Sequence, residues 1–264
     1  MSGDFVGPSM YTVHRAGEKA SDAQGRCALA IMAKAPRPGK VKTRLAPALG
    51  MEGSAAINTC FLRDTAQNIA DVVSAGAAAA GLICYTPVGD EVAFDGLLPQ
   101  GFSLIVQRGD AFGERLLAAT EDIFSCGYSA VCLIDSDSPT LPAAALVQAV
   151  ESLTNPGDRV VLGGSHDGGY YLIGLKQAHA APFERITWST ASVYAETKER
   201  CHKARIELVE LPLWYDVDDA ETLSVLEAEL LQGVRPHFAN LDGYPAPQTR
   251  AYLQQRASLR GFPR

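Results

Sequence analysis

From Cys27 onward the chain alternates short apolar runs with longer amphipathic ones, and this rhythm limits it to a narrow group of folds. The apolar runs are CALAIMA (27–33), GLICY (81–85), FSLIV (102–106), AVCLID (130–135), RVVLGG (159–164), YYLIGL (170–175) and IELVEL (206–211). Helical periodicity occupies the segments near Met51 to Val73, Gly113 to Phe124, Pro142 to Leu153, Ser189 to Lys203 and Asp219 to Gln232. Strands alternating with helices predict an α/β domain whose mostly parallel sheet is covered on both faces. Residues 1–25 show neither period and read as a flexible leader, 26–232 as the domain, and 233–264, rich in Pro and Arg, as a C-terminal tail with one short helix near Gln248 to Leu259.

Composition excludes several classes. With 264 residues, 47% of them hydrophobic, the chain can bury a core. A formal net charge of −7 and a pI near 5.3 oppose a phosphate-tracking surface, so no nucleic-acid partner is expected. No apolar run approaches the roughly 20 residues of a membrane helix, and the polar first 25 residues lack the apolar centre of a signal peptide. Six cysteines without a C-x-x-C read as reduced thiols, which places the protein in the cytoplasm, off the membrane.

Against that acidic balance, Lys34, Arg37, Lys40, Lys42 and Arg44 crowd into one acid-free loop, KAPRPGKVKTR, directly after the first strand. Pro36, Pro38 and Gly39 hold its backbone open and let it approach a ligand. Clustered cations repel, by about 4 kcal/mol per pair at 4 Å and an effective dielectric of 20, unless an anion offsets them. Either a di- or triphosphate does so, or the loop is a solvated basic surface. The spacing is not that of a P-loop, and GGSHDGG leads into a strand instead of a helix, so the dinucleotide fingerprint also fails.

Ligands of open parallel sheets bind outside the carboxyl ends of the strands, which gathers the basic loop with three acidic ones. In DSDSPT, side-chain period two puts Asp135 and Asp137 on one side, an oxygen-only pair suited to Mg²⁺ or Mn²⁺, or else a helix-capping turn. WYDVDD repeats the device with Asp216 and Asp218, while Asp219 is the N-cap of the last domain helix. In SHDGG, Asp167 before Gly168 and Gly169 suggests either a plain hairpin turn or a main chain passing close to a ligand, with Asp167 as orienter or base. The Trp188-Ser189-Thr190 step opens a helix whose free amides suit an anion, core packing of Trp188 being the alternative. After FSLIV stand Arg108, Asp110 and Arg115, as ligand contacts or as an ion pair.

The ordered series MAKAPRPGKVKTRL, QRGDAFGERL, LIDSDSPTL, DGGYYLIGL, WST and DVDDAETL resembles a bacterial family of glycosyltransferase-A-fold enzymes known as arsenosugar-biosynthesis or radical-SAM-associated glycosyltransferases. That family is similar in turn to the guanylyltransferases of molybdenum-cofactor and phospholactate metabolism. The resemblance, over residues 27–232, implies a three-layer α/β/α Rossmann-like nucleotide-diphospho-sugar transferase fold. It further implies Lys34, Lys42 and Arg44 on the nucleotide phosphates, Asp137 as metal ligand, Asp218 as a second, and the Asp167-Gly168-Gly169 turn facing donor or acceptor. Two positions depart from the family pattern: Asp135 replaces an expected glycine, which opens the question of a third ligand, and Thr222 replaces an acid, which concerns helix capping.

Two reactions follow. A glycosyltransferase would bind a nucleoside diphosphate sugar through the divalent ion, with Asp167 as base for a small-molecule acceptor. A nucleotidylyltransferase would take a nucleoside triphosphate and release pyrophosphate, with the basic loop and Lys42 carrying the catalysis. A nucleotide-binding sensor without catalysis is the alternative from another class. The tail either builds a homodimer interface or covers the acceptor.

Overall fold

The structure is a computed structural model that describes residues 11–21 and 23–260. Strands β1 (Thr12–His14), β2 (Cys27–Lys34), β3 (Ala79–Thr86), β4 (Ser103–Val106), β5 (Ala130–Ile134), β6 (Arg159–Ser165), β7 (Tyr170–Leu175) and β8 (Glu207–Trp214) form one sheet in the order β1-β4-β3-β2-β5-β7-β6-β8. All pairings are parallel except those of β7, which runs antiparallel to both β5 and β6. Every strand expected from the apolar runs is present. β2, β3 and β5 are buried on both faces, as sandwiching by helices requires.

Helices α1 (Ala46–Ser74), α2 (Phe112–Ser125), α3 (Ala143–Thr154), α4 (Val193–Lys203), α5 (Ala220–Gln232) and α6 (Pro247–Arg260) supply the outer layers. α1, α3, α5 and α6 cover one face through Phe61, Leu146, Leu226 and Leu253, while α2 and α4 cover the other through Leu116, Ile123 and Cys201. α1 is interrupted at Gly50, whose left-handed backbone (φ 73°) separates a first turn from the helix proper. α5 begins as expected: Asp219 accepts from the amides of Glu221 and Thr222, and the Thr222 hydroxyl oxygen accepts in turn from the Asp219 amide.

Both chain ends differ from the expectation. Residues 1–10 and 22 of the expected leader lie outside the described residues, but Thr12–His14 add an edge strand on β4 and the Tyr11 hydroxyl donates to the Glu91 carbonyl. The segment after Gln232 is part of the domain. The buried Asp64 carboxylate on α1 receives the amides of Gln248 and Thr249 at 3.0 and 2.7 Å and so caps α6, and the Tyr252 hydroxyl reaches the Gly53 carbonyl. Docking the helix gives the Asp64 carboxylate two donors and the first amides of α6 an acceptor.

All six cysteines are free thiols, and Cys27 and Cys132 face each other across β2 and β5 with 3.8 Å between sulfurs. Among the described residues no helix is long and apolar enough to cross a membrane.

Candidate active site

The carboxyl ends of β2, β3, β4 and β5 open into a cleft of about 490 Å³, within the range of small-ligand sites. Lys34, Thr86, Gln107 and Asp135 line it from these strand ends, joined by Lys40, Lys42, Arg44, Arg115, Asp137 and Asp218. A second cleft of about 530 Å³ shares Arg44, Phe112, Asp135, Asp137 and Asp218 with the first and continues past Asp167, Gly169, Tyr170, Trp188, Ser189, Thr190 and Asp216. The two meet at Asp137 and Asp218.

Local sequence explains how the basic loop presents its charges. Ala35, Val41 and Leu45 are buried and pin it to the core, leaving the intervening residues to face outward or into the cleft. Gly39 takes a positive φ (70°) that lets the chain turn back. Pro36 and Gly39 thus shape the loop without lining either cleft. Arg37 is spent on an ion pair with Asp90. Lys42, also left-handed (φ 47°), points inward with only 4% of its side chain exposed.

The acidic loops are tied side by side by a bond from the Val217 amide to the Asp137 carbonyl, 2.9 Å long. This places Asp137 and Asp218 on a common point, and Lys42 occupies it: its Nζ lies 2.9 Å from Asp137 Oδ1 and 2.7 Å from Asp218 Oδ1. Burial alone would lower the ammonium's pKa, but the two carboxylates outweigh it and hold it above the usual lysine range. Arg44 adds a looser contact, 3.7 Å from Asp218 Oδ2.

Asp135 is occupied differently. Ser138 Oγ donates to it at 2.8 Å and the Asp137 amide approaches at 3.4 Å. Burial, with Asp137 and Asp216 nearby, pushes its carboxyl well above the usual range, and Asp135 lines both clefts beside Asp137. Asp216, the first acid of the second pair, lines the second cleft and accepts from Ser165 Oγ at 2.6 Å. Burial pushes its carboxyl up to about 6, helped by Asp167 and Asp218. The signal for it was the second D-x-D in WYDVDD.

The glycine turn has a protein reason as well as a site. Asp167 Oδ1 accepts from the Gly169 amide, closing the turn between β6 and β7, and Asp167 is exposed to the second cleft. Gly168 does not line it. A Cβ there would meet the Ala191 carbonyl oxygen at 2.2 Å, so the close approach is to the chain entering α4. The same carbonyl side of the turn receives the Tyr194 amide, and the Val193 amide goes to Thr190. α4 therefore starts after Trp188-Ser189-Thr190, with those amides already used; the three residues contribute side chains and surface to the second cleft instead. Trp188 packs edge-on against Phe112, 4.9 Å between centroids, over Gly113, where a Cβ would strike its indole nitrogen at 2.9 Å. His166, on the other side of the turn, stacks on Phe238 of the C-terminal segment.

Of the residues after β4, Arg115 lines the first cleft, whereas Arg108 is held by Asp122 and Glu121. Asn58, from α1, also lines that cleft, and its buried carboxamide oxygen has no hydrogen-bond partner among the described residues. Among the described residues no group of three or more His, Cys, Asp or Glu is arranged to hold a metal ion. The convergent pair nevertheless fits one. Asp137 and Asp218 already clasp a cation, the donors are all oxygen, and Mg²⁺ commonly uses one or two carboxylates with substrate phosphates completing its shell.

Comparison with known proteins bears on the fold and the family. Residues 69–190 match the family described as uncharacterized protein conserved in bacteria (DUF2064). No curated protein matches the sequence. A crystal structure from Desulfovibrio desulfuricans G20, provisionally named a nucleotide-diphospho-sugar transferase, is 32% identical over 89% of this chain and 96% of its own, with a TM-score of 0.74. A CMP:2-keto-3-deoxy-manno-octonic acid synthetase in complex with CTP is 13% identical over 79% and 100% of the two chains, with a TM-score of 0.49. A cytidylyltransferase from Leptospira borgpetersenii is 11% identical over 89% and 96%, with a TM-score of 0.48. The 32% identity along nearly the full length of both chains is decisive: the chain belongs to the same bacterial family as the Desulfovibrio protein, a family of transferases with the nucleotide-diphospho-sugar transferase fold.

Proposed function

We propose that the protein transfers the glycosyl group of a nucleoside diphosphate sugar to a hydroxyl of a small-molecule acceptor, with Mg²⁺ or Mn²⁺ held by Asp137 and Asp218. The observation that carries this reading is the opposite charge of the two clefts that meet at those carboxylates. The first sets Lys34, Lys40, Lys42, Arg44 and Arg115 against the shared acids Asp135, Asp137 and Asp218, and its excess of cations suits a diphosphate. The second is lined by Asp135, Asp137, Asp167, Asp216 and Asp218 with Arg44 as its cation, and so disfavours a phosphorylated acceptor while suiting hydroxyls.

In this mechanism Lys34, Arg44 and Arg115 orient the diphosphate, and Lys42 donates to it. Asp137 and Asp218 would hold the divalent ion, which when bound would supply charge to offset that developing on the leaving diphosphate. Asp167, exposed in the second cleft and fixed by the Gly169 amide, takes the proton of the attacking hydroxyl. Gly169, Ser189 and Thr190 border the acceptor and Trp188 offers it an aromatic wall. Gly168 supports the turn from behind. Asp135, held by Ser138 beside the pair, stands as the third acid at the junction of the clefts. The motif series also supports a place among arsenosugar or radical-SAM-associated glycosyltransferases.

The richness of the first cleft in cations favours one competing reading, nucleotidyl transfer from a nucleoside triphosphate. Incubation with nucleotide sugars and triphosphates, plus Mn²⁺ or Mg²⁺ and candidate acceptors, separates the two. Released nucleoside diphosphate supports glycosyl transfer, released pyrophosphate replaces it with nucleotidyl transfer, and tight binding without either product makes the protein a sensor.

A further inference from the structure

Lys42 and the proposed divalent ion compete for the same carboxylates. Its ammonium bridges Asp137 and Asp218, the carboxylates that the proposed function gives to a divalent ion, and that function also gives Lys42 to the diphosphate. We propose that Lys42 is an internal place-holder for the metal: it closes the carboxylate pair in the free protein and vacates it when a diphosphate arrives, so that metal and diphosphate bind cooperatively. The inference rests on the metal-dependent reading of the same site.

The geometry separates what can move from what cannot. Val41 and Leu45, both buried, anchor the main chain on either side of Lys42, and the left-handed backbone at Lys42 itself turns the side chain inward. Its neighbour Arg44 is 75% exposed, so the burial of Lys42, 4% exposed, is specific to that residue and not to the loop. Release therefore needs only rotation of a flexible four-carbon stem, with the loop left in place. The carboxylates are themselves reachable, 32% and 41% exposed, so an ion can approach them from the cleft.

Charge then decides the order of events. The pair carries two negative charges, of which Lys42 offsets one and a divalent ion would offset both. Two cations on the same carboxylates repel, so metal alone pushes the ammonium toward a cleft whose other charged side chains, Asp135 apart, are cations. A diphosphate among Lys34, Arg44 and Arg115 supplies that anion. By linkage, whatever stabilises the displaced ammonium strengthens metal binding, and the metal strengthens diphosphate binding by the same factor.

The test is Mn²⁺ binding to the full chain, followed by electron paramagnetic resonance without nucleotide. Lys42→Met is expected to bind Mn²⁺ at least tenfold more tightly than wild type, because the pair no longer has an occupant, and Lys42→Arg to bind it no more tightly than wild type. Lys42→Gln, which keeps the length and polarity of the side chain without its charge, gives the same gain and decides the matter if the methionine variant does not fold. Inorganic pyrophosphate is expected to raise the amount of protein-bound Mn²⁺ in wild type far more than in Lys42→Gln. Equal or weaker Mn²⁺ affinity in both uncharged variants overturns the place-holder while leaving the metal site intact. No Mn²⁺ binding to any of these proteins overturns the place-holder and the metal-dependent reading together.

Discussion

Asp64 and the Asp137–Asp218 pair are both carboxylate sites within one domain, yet they are neutralised in opposite ways. Asp64 is fully buried and receives two main-chain amides from the first turn of α6, donors that cannot leave without undoing the helix. Asp137 and Asp218 are partly exposed and share the end of one long side chain. A carboxylate with fixed donors is a joint between elements. A pair bridged by a side-chain cation at the mouth of a cleft is where the proposed exchange of charge takes place.

The largest effect separates the sites by activity. Asp137→Ala is expected to lower metal-dependent turnover by about 100-fold or more, since a metal ion supplies several kcal/mol of transition-state stabilisation, with circular dichroism unchanged. A variant that remains fully active removes Asp137 from the mechanism. Asp64→Ala should do the reverse. Leaving the Gln248 and Thr249 amides without an acceptor costs about 1–3 kcal/mol, read as a lower urea midpoint, while Mn²⁺ affinity of the folded protein stays the same. If the metal site were to weaken in step with stability, the two regions would not be independent and the contrast would fail.

Asp216 tests the boundary between them, being partly buried, bonded to Ser165, and beside the acidic pair. Its carboxyl is raised to about 6 chiefly by burial, so the folded state holds this proton more tightly than the unfolded chain. The stabilising contribution is present at low pH and is lost as pH rises through about 6, where a buried charge must form. Asp216→Asn removes that loss. Its Tm relative to wild type is expected to rise by about 2–4 °C between pH 5 and pH 7.5, roughly 1 kcal/mol for a domain of this size once solvent contact is allowed for. A Tm difference that does not change with pH would show that Asp216 is solvated like a surface acid.

The contrast between the regions also marks where sequence reasoning reached and where it stopped. The strands from Cys27 to Leu175 were legible largely because two-sided burial leaves continuous apolar runs, the half-exposed edge strand β8 through its β-branched and leucine residues, and Asp219 because capping is local. β1 was not, since three residues with the pattern exposed, exposed, buried carry no usable period and pair only at the sheet edge. The helix near Gln248 to Leu259 could be read, but its docking could not. Its partner Asp64 lies in the middle of α1, where an acid ordinarily faces water. Gly168 announced a close approach, and only the fold identified the neighbour as Ala191.

Periodicity, glycine placement and capping depend on residues within a turn or two of one another, so the order of strands and helices, and the loops that gather at one end of the sheet, were written in the chain itself. Which charges meet was not. Lys42, Asp137 and Asp218 come from three distant segments, brought together because β2 lies beside β5 and because one main-chain bond draws the loop after β8 against the loop after β5. Coulombic contact depends on distance through space, and no local pattern specifies that one lysine of a basic loop turns inward while its neighbours remain in water.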